Sequence, residues 1–194
     1  MPPVARRRSA DRSPRGALDA LVELYAELPV MRCQGLCSDS CYSLVQTRLE
    51  REHVRAQTGV RLDLVQAPPT PCRALTMLNQ CGVYEARPMI CRLWGMTAGM
   101  RCQYGCEPDG GFLTARQFYE FLARVAELAG DPDEARRLRE PFEQDPEGAE
   151  QRMLAWQRHR DMEYNDRVRR AGDTAVFLVR PGLLSKKQPR GGRW

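Results

Sequence analysis

At 194 residues, 42% of them hydrophobic and with a formal net charge of +5, the chain is sized for one domain with short appendages and can bury a real apolar core. A small disulfide scaffold is excluded, because eight cysteines make up only about 4% of the chain, against roughly 8–10% in that class. A membrane span is excluded as well, since no stretch approaches the ~20 consecutive apolar residues it requires.

Residues 1–15 are expected to form a basic flexible arm. Arg6, Arg7, Arg8, Arg12 and Arg15 stand against Asp11, a net +4 over residues 1–16. No apolar run of the ~7–15 residues typical of a secretory leader follows, which predicts a cytoplasmic protein. The next stretch, "SPRGALDALVELYAELPV", predicts a first helix. Ser13 suits the cap and Pro14 the first turn, Leu18, Leu21, Val22, Tyr25 and Leu28 share a face, and Pro29 ends the run.

A first cysteine run, "CQGLCSDSC", follows, and "YSLVQTRLEREHVRAQTG" then predicts a second helix stopped by Gly59. "VRLDLVQ" alternates like a short strand or strand-like connector, and "APPTP" makes a stiff turn. "CRALTMLNQCGVY" predicts a small hairpin with Asn79 and Gln80 near its tip. "EARPMICRLWG" predicts a short helix opened by Pro88 and closed at Gly95.

The second half is more plainly helical. "LTARQFYEFLARVAELAG" carries a capping box, Thr114 with Gln117, a core stripe of Phe118, Phe121, Leu122, Val125 and Leu128, and a stop at Gly130. Asp131 and Pro132 start a helix expected to die near Pro141. Asp145 and Pro146 start a longer one running toward Gly172, with a thin apolar face of Met153, Trp156 and Val168. "TAVFLVRP" is a strand candidate. The tail ends in Lys186, Lys187, Arg190 and Arg193, another +4, which leaves residues 17–184 at a net −3. Basic ends of this kind suit contact with nucleic acid or another acidic surface, or serve only as solvated tails.

The predicted fold is mainly α with a small β-hairpin, a single metal-stapled domain with a helical C-terminal half. Its expected parts are the arm at 1–15, a cysteine-cluster domain at 16–110, a helical extension packing on it at 111–172, and a strand plus basic tail at 173–194.

Chemistry concentrates in the cysteines. In a reducing compartment such clusters serve as metal ligands or redox groups more often than as disulfides. Cys33, Cys37 and Cys41 follow one another at four-residue steps, Cys72, Cys81 and Cys91 stand singly, and Cys102 and Cys106 form a last pair. Thiolates two to four residues apart can grip one ion, because the turn between them sets both sulfurs on one side. Eight thiolates match two four-cysteine sites, for two zinc ions or two iron–sulfur clusters. One centre with spare thiols is the other arrangement. The 30 residues between Cys41 and Cys72 fit no zinc ribbon or finger spacing, which favours iron–sulfur, a 4Fe–4S cluster in particular.

Around the cysteines, the helix opened by Pro88 places Cys91 near a positive helix end. Arg73, Arg87, Arg92 and Arg101 neighbour cysteines in sequence and would offset thiolate charge, unless they only reflect an Arg-rich chain. Trp94, Met96 and Met100 either shield a centre from water or pack in the core. His53 and His159 lie among charged residues and are expected on the wet surface. No Ser–His–Asp grouping or phosphate-binding glycine loop stands out.

Residues 33–108, some 40% of the chain, resemble the YkgJ-type cysteine-cluster family, described as zinc- or iron-chelating proteins. The resemblance rests on Cys72 with Leu75, Cys81 with Val83 and Tyr84, Arg87-Pro88 with Cys91-Arg92, and the closing Cys102 and Cys106. Members commonly hold adjacent cysteines upstream, where this chain spreads Cys33, Cys37 and Cys41. The resemblance implies metal binding. Some similar proteins are thought to be iron–sulfur methyltransferases acting on protein lysines, an activity for which this chain offers no matching residues. The expected function is a metal-binding structural or interaction module, with a partner surface on helix 146–171. The alternatives are an iron–sulfur enzyme of group transfer or redox type and a nucleic-acid binder using the basic tails.

Overall fold

The computed structural model describes residues 13–33, 41, 44–62, 71–102 and 104–158. Most of the basic arm, Cys37, most of the strand-like connector, the turn after it, His159, the far part of the last helix, the strand candidate and the tail lie outside these residues.

Helix α1 spans Pro14–Ala26, and the Ser13 hydroxyl accepts the Gly16 N–H at 3.0 Å. Its inner face is Leu21, Leu24, Tyr25 and Leu28, the i, i+3, i+4, i+7 set. Val22, expected on that face, is instead 48% exposed. It stands one residue, about 100° of helix rotation, past Leu21, and Leu24 fills the place assigned to it.

Helix α2 spans Arg48–Thr58, starting later than the sequence suggested. Thr47 and Glu50 form a capping box: the Thr47 hydroxyl accepts the Glu50 N–H at 3.2 Å, and the Glu50 carboxylate accepts the Thr47 N–H at 2.8 Å. That pair fixes the first turn, so residues 44–47 stay non-helical. Gly59 ends α2 at φ 73°, a left-handed conformation that costs glycine little, and its N–H reaches the Arg55 carbonyl.

Where a hairpin was expected, the described residues form an isolated antiparallel bridge between Leu75 and Cys81. It closes over a turn with Asn79 at φ 58° and the Thr76 N–H bonded to the Gln80 carbonyl at 2.9 Å. A longer ladder is pre-empted because the chain enters a 3₁₀ turn at Tyr84–Ala86 directly afterwards. Helix α3 follows at Met89–Leu93, with Pro88 before it.

Helix α4, Ala115–Leu128, has the expected capping box of Thr114 and Gln117. Helix α5, Pro132–Gln144, does not stop at Pro141 but carries that residue inside it. A proline in the last turn removes only one helical hydrogen bond, and the buried Phe142 anchors that turn against Ala115, Ala149 and the Tyr119 ring. Residues 146–158 form a further helix, α6, whose start is held by Asp145 accepting the Gly148 N–H at 3.0 Å. Trp156, expected on its apolar face, is 51% exposed, and the inward positions are Ala149, Met153, Leu154 and Gln157.

The protein is thus mainly helical. Its largest apolar cluster joins Leu21, Leu24 and Tyr25 of α1, Met89 and Leu93 of α3, and Phe118 and Val125 of α4. Met96 and Met100 belong to the same cluster, and Trp94 packs partly against it, so these side chains are core. A second cluster, Val54, Ala74, Val83 and Ala86, is flanked by Cys72 and Cys81. No helix among the described residues is long and apolar enough to cross a membrane.

Candidate metal centre

Five separate stretches of chain present the described cysteines. Cys33, Cys41, Cys72, Cys81, Cys91 and Cys102 are half-buried thiols, and Cys106 is buried.

Backbone contacts tie the segments that carry Cys41, Cys72 and Cys81 to one another. The Cys72 N–H donates to the Cys41 carbonyl at 3.1 Å, joining the first cysteine run to the Pro71 segment. The Leu75 N–H then bonds the Cys72 carbonyl, and the Leu75–Cys81 bridge carries the chain back beside it. Burial pushes the Cys91 thiol well above the ordinary thiol range, and the charges of Cys41, Cys72 and Cys81 push it further, while Arg87 draws it back. The Cys91 residue keeps some exposed surface. A positive helix end was expected to lower this thiol. The five-residue α3 is too short to develop much of a dipole, and burial among other thiols dominates.

The Met31 segment meets the loop that carries Cys102 and Cys106. Met31 and Pro108 form an antiparallel bridge, and the Asp109 N–H donates to the Val30 carbonyl at 2.8 Å. The chain turns directly after this isolated bridge, with the Cys33 N–H donating to the Met31 carbonyl at 2.8 Å. Gly95 pairs with Arg101, and a Cβ added at Gly95 would meet the Cys102 Cβ at 3.5 Å and the Met31 Cε at 3.3 Å. Cys102 therefore borders the same region.

Tyr84 and Arg87 pack against each other. The Arg87 guanidinium carbon lies 3.9 Å from the Tyr84 ring centroid. Burial raises the Tyr84 phenol, Arg87 lowers it, and Cys33 raises it through both its charge and a side-chain hydrogen bond. The Arg87 Nε is buried with no hydrogen-bond partner among the described residues.

The other expected counter-charges are placed differently. Arg92 lies 4.1 Å from the Tyr25 ring centroid, and its Nε donates to the Arg87 carbonyl at 2.8 Å. Arg101 lies 4.8 Å from the Phe112 ring centroid. Arg73 is exposed.

His53, expected on the wet surface, is only 7% exposed and meets the Tyr25 ring edge-on at 5.8 Å. Burial lowers its pKa below the ordinary histidine value, Arg92 lowers it further, and Glu50 opposes. The charged neighbours that suggested a solvated face hid this, because Glu50 itself points inward. Glu50 is 3% exposed and accepts the Met89 N–H at 2.7 Å and the Tyr25 hydroxyl at 3.4 Å. The "TRLE" capping signature was the signal that could have found it. A cavity of about 660 Å³ opens beside these groups, lined among others by His53, Cys81, Tyr84 and Arg92.

Among the described residues, no three or more Cys, His, Asp or Glu side chains stand in a ready ligand arrangement. The cysteines are all sulfur donors, a chemistry that suits thiophilic metals. No family model, no curated protein and no solved structure matches the chain.

Proposed function

We propose that the chain is a metal-binding protein whose cysteines divide into two sets of four. Cys41, Cys72, Cys81 and Cys91 would hold one centre, and Cys33, Cys37, Cys102 and Cys106 the other. The observation that carries this reading is that distant cysteine-bearing stretches meet: the Cys72 N–H bonds the Cys41 carbonyl, Cys81 pairs back with Leu75, and Cys102 borders Met31. The resemblance to the YkgJ-type family supports the same reading. Four-thiolate sets suit zinc or a 4Fe–4S cluster, and the irregular spacing favours the cluster. When bound, such a centre would tie α3 to the Pro71–Cys81 loop and the Met31 segment to the Cys102–Cys106 loop. The protein then acts as a metal-stapled interaction module, with helix 146–171 or the basic tails available to a partner.

The test is anaerobic purification with metal and sulfide analysis. The expected product is brown, with iron and acid-labile sulfide in equal amounts. Cys91→Ser and Cys102→Ser should each remove about half of the metal, because each strikes one set. Colourless protein carrying zinc replaces the cluster with zinc ions. Protein that takes up neither metal ends the reading.

An iron–sulfur enzyme is the second reading, favoured by the cavity against Cys81, whose volume lies within the ~300–1,000 Å³ of small-molecule sites.

A further inference from the structure

The cavity of about 660 Å³ is bordered by α1, the last turn of α2, the 3₁₀ turn and Arg92 of α3. Two of its polar side chains have hydrogen-bonding capacity left over. His53 is 7% exposed, meets the Tyr25 ring edge-on, and makes no hydrogen bond among the described residues. A neutral imidazole offers one donor and one acceptor, and buried polar groups are rarely left without a partner.

Arg92 packs on the same Tyr25 ring. Its Nε donates to the Arg87 carbonyl at 2.8 Å and its Nη2 to the Glu85 carbonyl. Its Nη1 has no acceptor among the described residues, and no ion pair there involves it. A guanidinium held on one side by carbonyls and open on the other suits an incoming carboxylate.

The remaining lining sets the character of the ligand. The buried Val83 and Ala86 and the exposed Val22 and Ala26 give the cavity apolar walls. Glu85 and the C-terminal turn of α2, the negative end of that helix, border it too. One open guanidinium end facing those groups matches a single negative charge and disfavours a phosphate dianion.

We infer that this cavity binds a small organic monocarboxylate. The carboxylate meets the Nη1 end of Arg92, the apolar body lies against Val22 and Val83, and the ligand completes the hydrogen bonding of His53. The site does not depend on the metal-binding reading, since Cys81 contributes only to its wall.

The probe is octanoate, with n-octanol as the uncharged comparison. Both are titrated into the full chain as purified, with metal content recorded, while the His53 ring signals are followed by NMR. The chain has two histidines, so His159→Gln assigns them. Octanoate should shift the His53 signals saturably and bind roughly tenfold or more tighter than n-octanol, as a hydrogen bond to a charged group implies. Arg92→Gln should abolish that preference. Val22→Glu, a change at an exposed position, should weaken octanoate more than n-octanol, because it adds a carboxylate to the apolar wall. Absence of a saturable His53 shift overturns the inference, and so does equal binding of the two probes. A preference that survives in Arg92→Gln overturns it as well. If Arg92→Gln does not fold, Val22→Glu decides, and equal effects on both probes overturn the inference. Protein without iron or zinc that still prefers octanoate would defeat the metal-binding reading and leave this one supported.

Discussion

Glu50 links three elements through one carboxylate. One oxygen caps α2 by accepting from Thr47, and the other reaches α1 at Tyr25 and α3 at Met89. Beside it, burial lowers the His53 pKa below its ordinary value, Arg92 lowers it further, and Glu50 opposes. The sign of the resulting pH effect follows directly. The folded pKa is lowered, so between that value and the unfolded value of about 6.5 the unfolded chain binds the extra proton. This contribution is fully present above about pH 6.5 and is lost as pH falls through the folded value. Urea midpoints measured across this range should rise with pH in the wild type, and the rise should flatten in His53→Gln. Identical slopes in the two proteins would show that His53 does not titrate differently in the fold.

Among the elements, α6 docks onto the loop between Cys91 and Cys102 at one narrow point. The Thr97 hydroxyl donates to Gln157 at 2.9 Å, and both residues are fully buried. Gly99 lies beneath them. A Cβ there would stand 2.8 Å from the Gln157 Cβ and 3.0 Å from the Leu154 carbonyl oxygen, neither of which can yield easily. Gly99→Ala should therefore destabilise the protein by ~1–3 kcal/mol, as overpacking does, and speed amide exchange along 146–158. Unchanged exchange there would mean that α6 is not seated on the loop. Such contacts are illegible in a sequence, because the partners lie far apart and glycine announces only permissiveness. Helix ends were more legible. Ser13, Gly59, Thr114 and Asp131 cap where their chemistry says they should. The Pro141 stop failed because tertiary burial of Phe142 outweighs one missing hydrogen bond. The Val22 and Trp156 assignments failed because a periodic stripe locates a face only to within a residue.

For the whole molecule, the two ends of the described chain are held in different ways. The α4–α5 pair is cross-linked by Arg139, whose guanidinium bonds Glu120 at 2.7 and 2.8 Å and also pairs with Glu127. By contrast, residues 71–88 contain one short 3₁₀ turn and isolated pairings. A thiolate-bound metal can contribute on the order of 10 kcal/mol to folding a small structural site. Chelation of the loaded protein should therefore open residues 71–106 to protease while α4 and α5 keep their helicity by circular dichroism. A chelated protein that resists protease throughout would show that the cysteine region is ordered without metal. The concentration of cysteines was legible in the sequence, whereas the Met31–Pro108 pairing was not, because its partners lie far apart and no local pattern encodes it.

Helix α3 has a further consequence. Met89 and Leu93 are fully buried in the main apolar cluster, and Cys91 lies between them on the same single turn. A change of side-chain size at Met89 or Leu93 would rotate or lift that turn and carry the sulfur with it. Tolerance at these three positions is therefore joint, and a mutational library would recover compensated pairs where it rejects the single changes.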